Sequence, residues 1–242
     1  MDNGNAFLRA GFKRAKADGT FKSMTIGGTI IKTIFLLIIL LISFSYTWNL
    51  LSMGRSDLAR KFLLIGVLGI IIVAIVTCFL PRVASITSII YAILEGLTLG
   101  TISYYAEVWY SGVVLPAIML SIATAFAVVM IYKVIGGVNF WFRRIIKVAV
   151  MGVLISYLLT FLLSLVQVKM PFIHSGGTIG VVVSLVVMFI AASSLLLCFD
   201  FINNISKYGT PKYMEWFGSF SVLVNFVWMY LQILELLEKL KE

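Results

Sequence analysis

Ile30-Ile31-Lys32-Thr33-Ile34-Phe35-Leu36-Leu37-Ile38-Ile39-Leu40-Leu41-Ile42-Ser43-Phe44-Ser45-Tyr46-Thr47-Trp48 is a run of 19 residues with one charge, Lys32, close to its start. Wound as an α-helix at 1.5 Å per residue, it is roughly 28 Å long, close to a hydrocarbon core of about 30 Å. No compact apolar segment with a small-residue cleavage site precedes it, so the run reads as an uncleaved anchor. Working outward from it, apolar runs recur to the end of the chain. Spans are expected at about 29–51, 62–81, 84–106, 111–133, 145–168, 175–203 and 213–238. These runs are too long and too evenly apolar for barrel strands, which leaves helices. The expected fold is an all-α polytopic membrane protein, a seven-transmembrane-helix bundle.

Composition agrees. Of 242 residues, 61% are hydrophobic and 12% charged, with a mean hydropathy of +1.08, far from the soluble average of about 25% charged. The connections are short, so the chain divides into a basic cytoplasmic N-terminal segment, 1–23, and a transmembrane domain, 24–242. No soluble catalytic domain fits. The net charge of +9 does not point to nucleic acid, because Lys and Arg sit at loop ends rather than on one surface. They read as topology instead. Arg9, Lys13, Arg14, Lys16, Lys22, Lys32, Arg82, Lys133, Arg143, Arg144, Lys147, Lys207 and Lys212 fall on one side of seven alternating spans. Arg55, Arg60, Lys61, Lys169, Lys239 and Lys241 fall on the other, so the N-terminus is expected in the cytoplasm and the C-terminus outside. Arg55, Arg60 and Lys61 pull against that orientation.

Inside lipid, a carboxylate costs enough to need a reason, and only Glu95 and Asp200 lie well inside the runs. Asp200 stands in Leu197-Cys198-Phe199-Asp200-Phe201-Ile202, followed by Asn203 and Asn204. One reading makes it a proton-responsive or ion-binding group, and the other a helix-end Asp bonded to a Lys or a loop amide. Glu95, in Leu94-Glu95-Gly96-Leu97-Thr98-Leu99-Gly100, is mid-span with Ser88 and Ser103 near its face. An interhelical hydrogen bond and a place in an ion pathway are both open to it. Gly96 and Gly100, like Gly176 and Gly180, form a GxxxG that reads as close helix packing. In the last run Ser221, Asn225, Trp228 and Gln232 make one polar stripe that should face another helix.

Cys78 and Cys198 lie in apolar runs and read as small hydrophobes. His174, the one histidine, suits a loop or cap more than a zinc site. No cofactor is implied and the metal, if any, is not fixed by the residues. Paired catalytic carboxylates, a zinc motif, a Ser with a basic partner and a mid-membrane Lys in the last span are all missing, so no enzyme is expected.

Met24-Thr25-Ile26-Gly27-Gly28-Thr29-Ile30-Ile31-Lys32-Thr33, Leu94 to Gly100, Pro171-Phe172-Ile173-His174, Phe199 to Ile202 and Pro211-Lys212-Tyr213-Met214-Glu215-Trp216 together resemble the bacterial branch of the Bax inhibitor 1 family, also called the transmembrane Bax inhibitor motif family. The resemblance implies six helices around a seventh and a pH-sensitive calcium leak in the bacterial cytoplasmic membrane. It also implies two aspartates on the last two spans that share a proton and latch the pore, with an arginine near the second span. Asp200 matches the first aspartate, and Asn225 stands where the second is expected. Arg82 is the counterpart of the latch arginine, Glu95 a further cation ligand, and Asn203, Asn204 and Gln232 auxiliary ligands. The partners implied are the lipid bilayer and calcium ions. The competing reading is a non-conducting scaffold or regulator that binds other membrane proteins.

Overall fold

The computed structural model describes residues 23–165 and 177–241. Seven α-helices occur among them: α1 (Ile26–Ser52), α2 (Ser56–Phe79), α3 (Ala84–Trp109), α4 (Val114–Ile135), α5 (Phe140–Leu165), α6 (Thr178–Lys207) and α7 (Met214–Lys239). A single 3-10 turn, Pro81–Val83, joins α2 to α3. The fold is that of an all-α polytopic membrane protein. All but α5 are long and apolar enough to cross a bilayer; α5 has 26 residues and ends where the described stretch ends. The basic residues Arg9 to Lys22, Lys169, Gly176 and His174 lie outside the described residues.

The helices overrun the apolar runs because hydropathy marks the part inside lipid and not the end of the hydrogen-bonded ladder. α2 begins six residues before the expected span, through Ser56-Asp57-Leu58-Ala59-Arg60-Lys61, with Asp57 in its first turn where the helix dipole favours a negative charge. α5 likewise begins at Phe140 and carries Arg143 and Arg144 in its first turns. Large apolar side chains point outward. Leu64, Leu68 and Ile72 of α2, at successive spacings of four, are each more than 60% exposed. Such a stripe would be a liability in water and is what a lipid-facing helix presents.

The chain divides into two compact units, Met1–Thr101 with Phe201–Leu223 and Ile102–Asp200 with Val224–Glu242. In the first, α3 carries its GxxxG against α1. A Cβ on Gly96 would collide with the Leu40 carbonyl, and one on Gly100 would come within 2.6 Å of the Phe44 carbonyl. Ser43 and Thr47 of α1 are buried opposite, so small residues on both helices permit the approach. α2 meets the same helix through Gly66, packed on Thr98, and Gly69, packed on Leu94.

In the second unit the polar groups of α7 are spent on neighbouring helices. Ser103 of α3 and Tyr230 share a hydrogen bond of 2.7 Å, and Gln232 donates to the Tyr157 hydroxyl of α5 at 3.0 Å. Asn225 accepts from Ser194 of α6. The expected stripe on the last span therefore does face other helices at Asn225 and Gln232.

Candidate functional site

α4 ends on Gly136, whose φ of 69° turns the chain and lets its N–H cap the Tyr132 carbonyl at 3.0 Å. That left-handed residue is cheap only as glycine. Gly137, Val138 and Asn139 then lead into α5, and the turn lies against Asp200 of α6. The Asp200 carboxylate is 4% exposed. Its Oδ1 accepts from the Val138 N–H at 3.3 Å, and its Oδ2 lies 2.6 Å from Nη2 of Arg143. Nη2 also reaches the Val138 carbonyl at 3.4 Å, so turn, guanidinium and carboxylate close a ring. The carboxylate sits at the N-terminal end of α5, where unpaired amide groups and the helix dipole favour an anion.

The ring is closed without being tight. The Arg143 side chain is 40% exposed, and its Nε is buried with no hydrogen-bond partner. A Cβ on Gly137 would stand 3.9 Å from Asp200 Oδ1, an ordinary contact. The arginine that meets Asp200 is thus Arg143, while Arg82 is exposed in the turn before α3. Arg143 was legible only as a topology charge. The signal that could have marked it is an arginine one turn inside a helix that follows a Gly-Gly turn, where an anion is favoured.

Asn225 meets Ser194, six residues before Asp200 on α6 and so roughly 9 Å along the helix axis from it. Asn203 and Asn204 follow Asp200 one turn later, both half-buried, and the Asn203 carbonyl accepts from Ser206 at 2.9 Å. Cys198 is buried and Cys78 exposed. Among the described residues no group of three or more His, Cys, Asp or Glu side chains is placed to hold a metal ion.

Glu95 is 6% exposed in the other unit, with the Tyr91 hydroxyl hydrogen-bonded to its carboxyl. Its Oε2 has no partner, and neither does the buried Ser88 hydroxyl two turns earlier. The same unit holds a carboxylate that sequence reasoning missed. Glu215, 1% exposed, accepts from the Thr25 N–H at 2.9 Å and the Thr25 hydroxyl at 3.0 Å, and pairs with Lys32. Thr25 in turn caps α1 by accepting from the Gly28 N–H. The Lys32 ammonium lies 5.3 Å from the centre of the Trp216 ring, a cation–π contact. Ser219 reaches both the Thr29 and Glu215 carbonyls, at 2.8 and 2.7 Å. A Cβ on Gly28 would overlap the Glu215 carboxyl, so this glycine makes room for it.

Glu215 thereby joins the segment Met24–Thr33 to the connection Pro211–Trp216. Both lie inside residues 4–242, which match the family model described as Bax inhibitor 1 like. The chain belongs to the Bax inhibitor 1 family. No curated protein and no solved structure matches it. For this Bax inhibitor 1 family member, the long apolar helices establish an integral membrane protein surrounded by lipid.

Proposed function

We propose that the chain is a pH-modulated cation leak, with calcium as the ion and Asp200 as the sensor or ligand. The observation that carries this reading is a buried carboxylate held across the α4–α5 turn by an arginine whose side chain is part-exposed. Protonation of Asp200 removes the charge that holds Arg143 and leaves a weaker neutral contact, so acid should release the turn. Asn225 supplies no second carboxylate, and Arg143 provides the charge that the sensor works against. Glu95, with an unpartnered oxygen, is a further candidate cation ligand. The N-terminal segment 1–23 lies in the cytoplasm of a bacterial cell and 24–242 forms the transmembrane domain, which places the Asp200 ring at the cytoplasmic face.

Calcium, potassium and proton fluxes into proteoliposomes, followed against pH, test this. Calcium flux is expected to rise on acidification. Asp200→Asn, which cannot ionise, is expected to conduct at every pH, and Arg143→Gln to raise flux near neutrality and flatten the pH profile. No flux of any ion in the wild type and both variants would overturn the leak and favour the scaffold reading.

A further inference from the structure

Every charged residue of α4 and α5 is basic. Over 114–165 the sequence has Lys133, Arg143, Arg144 and Lys147, and no Asp or Glu. All four gather at one end of the helix pair. Lys133 lies in the last turn of α4 and the other three in the first turns of α5, on either side of the connection that meets Asp200. Lys133, Arg144 and Lys147 are exposed. With 3.6 residues per turn, Arg143, Lys147 and Arg144 cover an arc of about 100° with Lys147 between the other two. Trp141, Ile145, Val148 and Ile155, at spacings of four, three and seven, continue this side of the helix as an apolar stripe, each residue more than half exposed. A small soluble anion would use only the bases. A lipid would use both, its headgroup on the bases and its chains along the stripe, with Trp141 suited to the boundary between them.

A basic cluster at a helix end ordinarily does no more than set topology. This one differs because one member is also the partner of Asp200. Arg143 meets the carboxylate through Nη2, while its Nε has no hydrogen-bond partner. A guanidinium carries five N–H donors in a fixed fork that suits phosphate as well as carboxylate. A phosphate beside Arg144 and Lys147 therefore competes with Asp200 for a side chain that is already 40% exposed. We propose that the start of α5 is a binding surface for an anionic phospholipid, whose phosphate draws Arg143 away from Asp200. Lipid binding stands by itself, and its consequence for flux rests on the leak reading above.

Binding is read on the whole protein in phosphatidylcholine vesicles with a photoactivatable phosphatidylglycerol, mapping the labelled peptides. Saturable labelling is expected over 140–155, competed by unlabelled phosphatidylglycerol but not by inorganic phosphate. Arg144→Gln with Lys147→Gln is expected to raise the half-saturating lipid content by about tenfold or more, at roughly fivefold per basic residue. Labelling that is equal with a phosphatidylcholine analogue, that inorganic phosphate displaces, or that the double variant leaves unchanged would overturn the surface. Should the double variant fail to fold, added sodium chloride on the wild type takes its place: screening is expected to weaken labelling, and salt-independent labelling overturns the surface. Asp200→Asn frees Arg143 and is expected to tighten labelling several-fold. No gain there would overturn the competition. Calcium flux near neutral pH is expected to rise several-fold with phosphatidylglycerol in the wild type and not in the double variant, and an equal rise in both would overturn the link between lipid and Arg143. Specific labelling with no flux in any vesicle retains the lipid surface and removes the leak.

Discussion

Glu215 and Asp200 are both buried carboxylates paired with a basic side chain, yet their surroundings differ. Glu215 accepts from a backbone amide, a hydroxyl and an ammonium at once, at the capped start of α1 and in the first turn of α7, where the helix dipole favours an anion. Its partner Lys32 is 16% exposed and lies over Trp216. Asp200 has one long amide bond and one arginine whose side chain is 40% exposed. The first acid is held from two segments by three donors, and the second by one amide and one arginine. Burial of the acid is common to both sites; the solvation of the basic partner is what differs.

The contrast is open to direct attack. Glu215→Ala leaves an ammonium and a backbone amide without their shared acceptor, and should cost about 3 to 5 kcal/mol. Thermal unfolding in detergent reads that loss. Gly28→Ala drives a methyl into the Glu215 carboxyl and should cost about 1 to 3 kcal/mol in the same measurement. Arg143→Gln removes the charged partner of a carboxylate that is 4% exposed, with a neutral amide able to replace part of the contact, and should cost about 1 to 3 kcal/mol, while calcium flux at neutral pH rises. An Arg143→Gln variant as unstable as Glu215→Ala would erase the distinction between the two sites. The smallest effect is expected of Gly137→Ala, whose methyl meets Asp200 at an ordinary contact distance and should leave stability within about 0.5 kcal/mol. A large loss there would show that the turn is held as tightly as the α1 start.

Much of the fold was legible because lipid imposes one rule on every span: Ile30 to Trp48 has to be helical whatever its neighbours do. Helix ends were less legible, since Ser56 to Lys61 and Arg143-Arg144 are polar and helical together. Asp200 and Glu95 stood out as acids in apolar runs. Their partners did not, because a partner is chosen by tertiary geometry. Arg143 looked like one more cytoplasmic charge, and Lys239 like one more external one. Gly66 and Gly69 carried no GxxxG spacing, yet both bring α2 onto α3. The stripe of Asn225 and Gln232 predicted contact without naming Ser194 or Tyr157.

The bonds between Thr25 and Glu215 span 190 residues of chain. At about 5 to 20 residues per second, a ribosome needs roughly 10 to 40 s to deliver the acid after the threonine. For that interval the first helix can be seated by its own hydrophobicity but cannot be fastened at its leading end. Newly made protein stalled before Pro211 should therefore expose the Thr25 region to protease or thiol probes, and that region should become protected only once the final helix has docked.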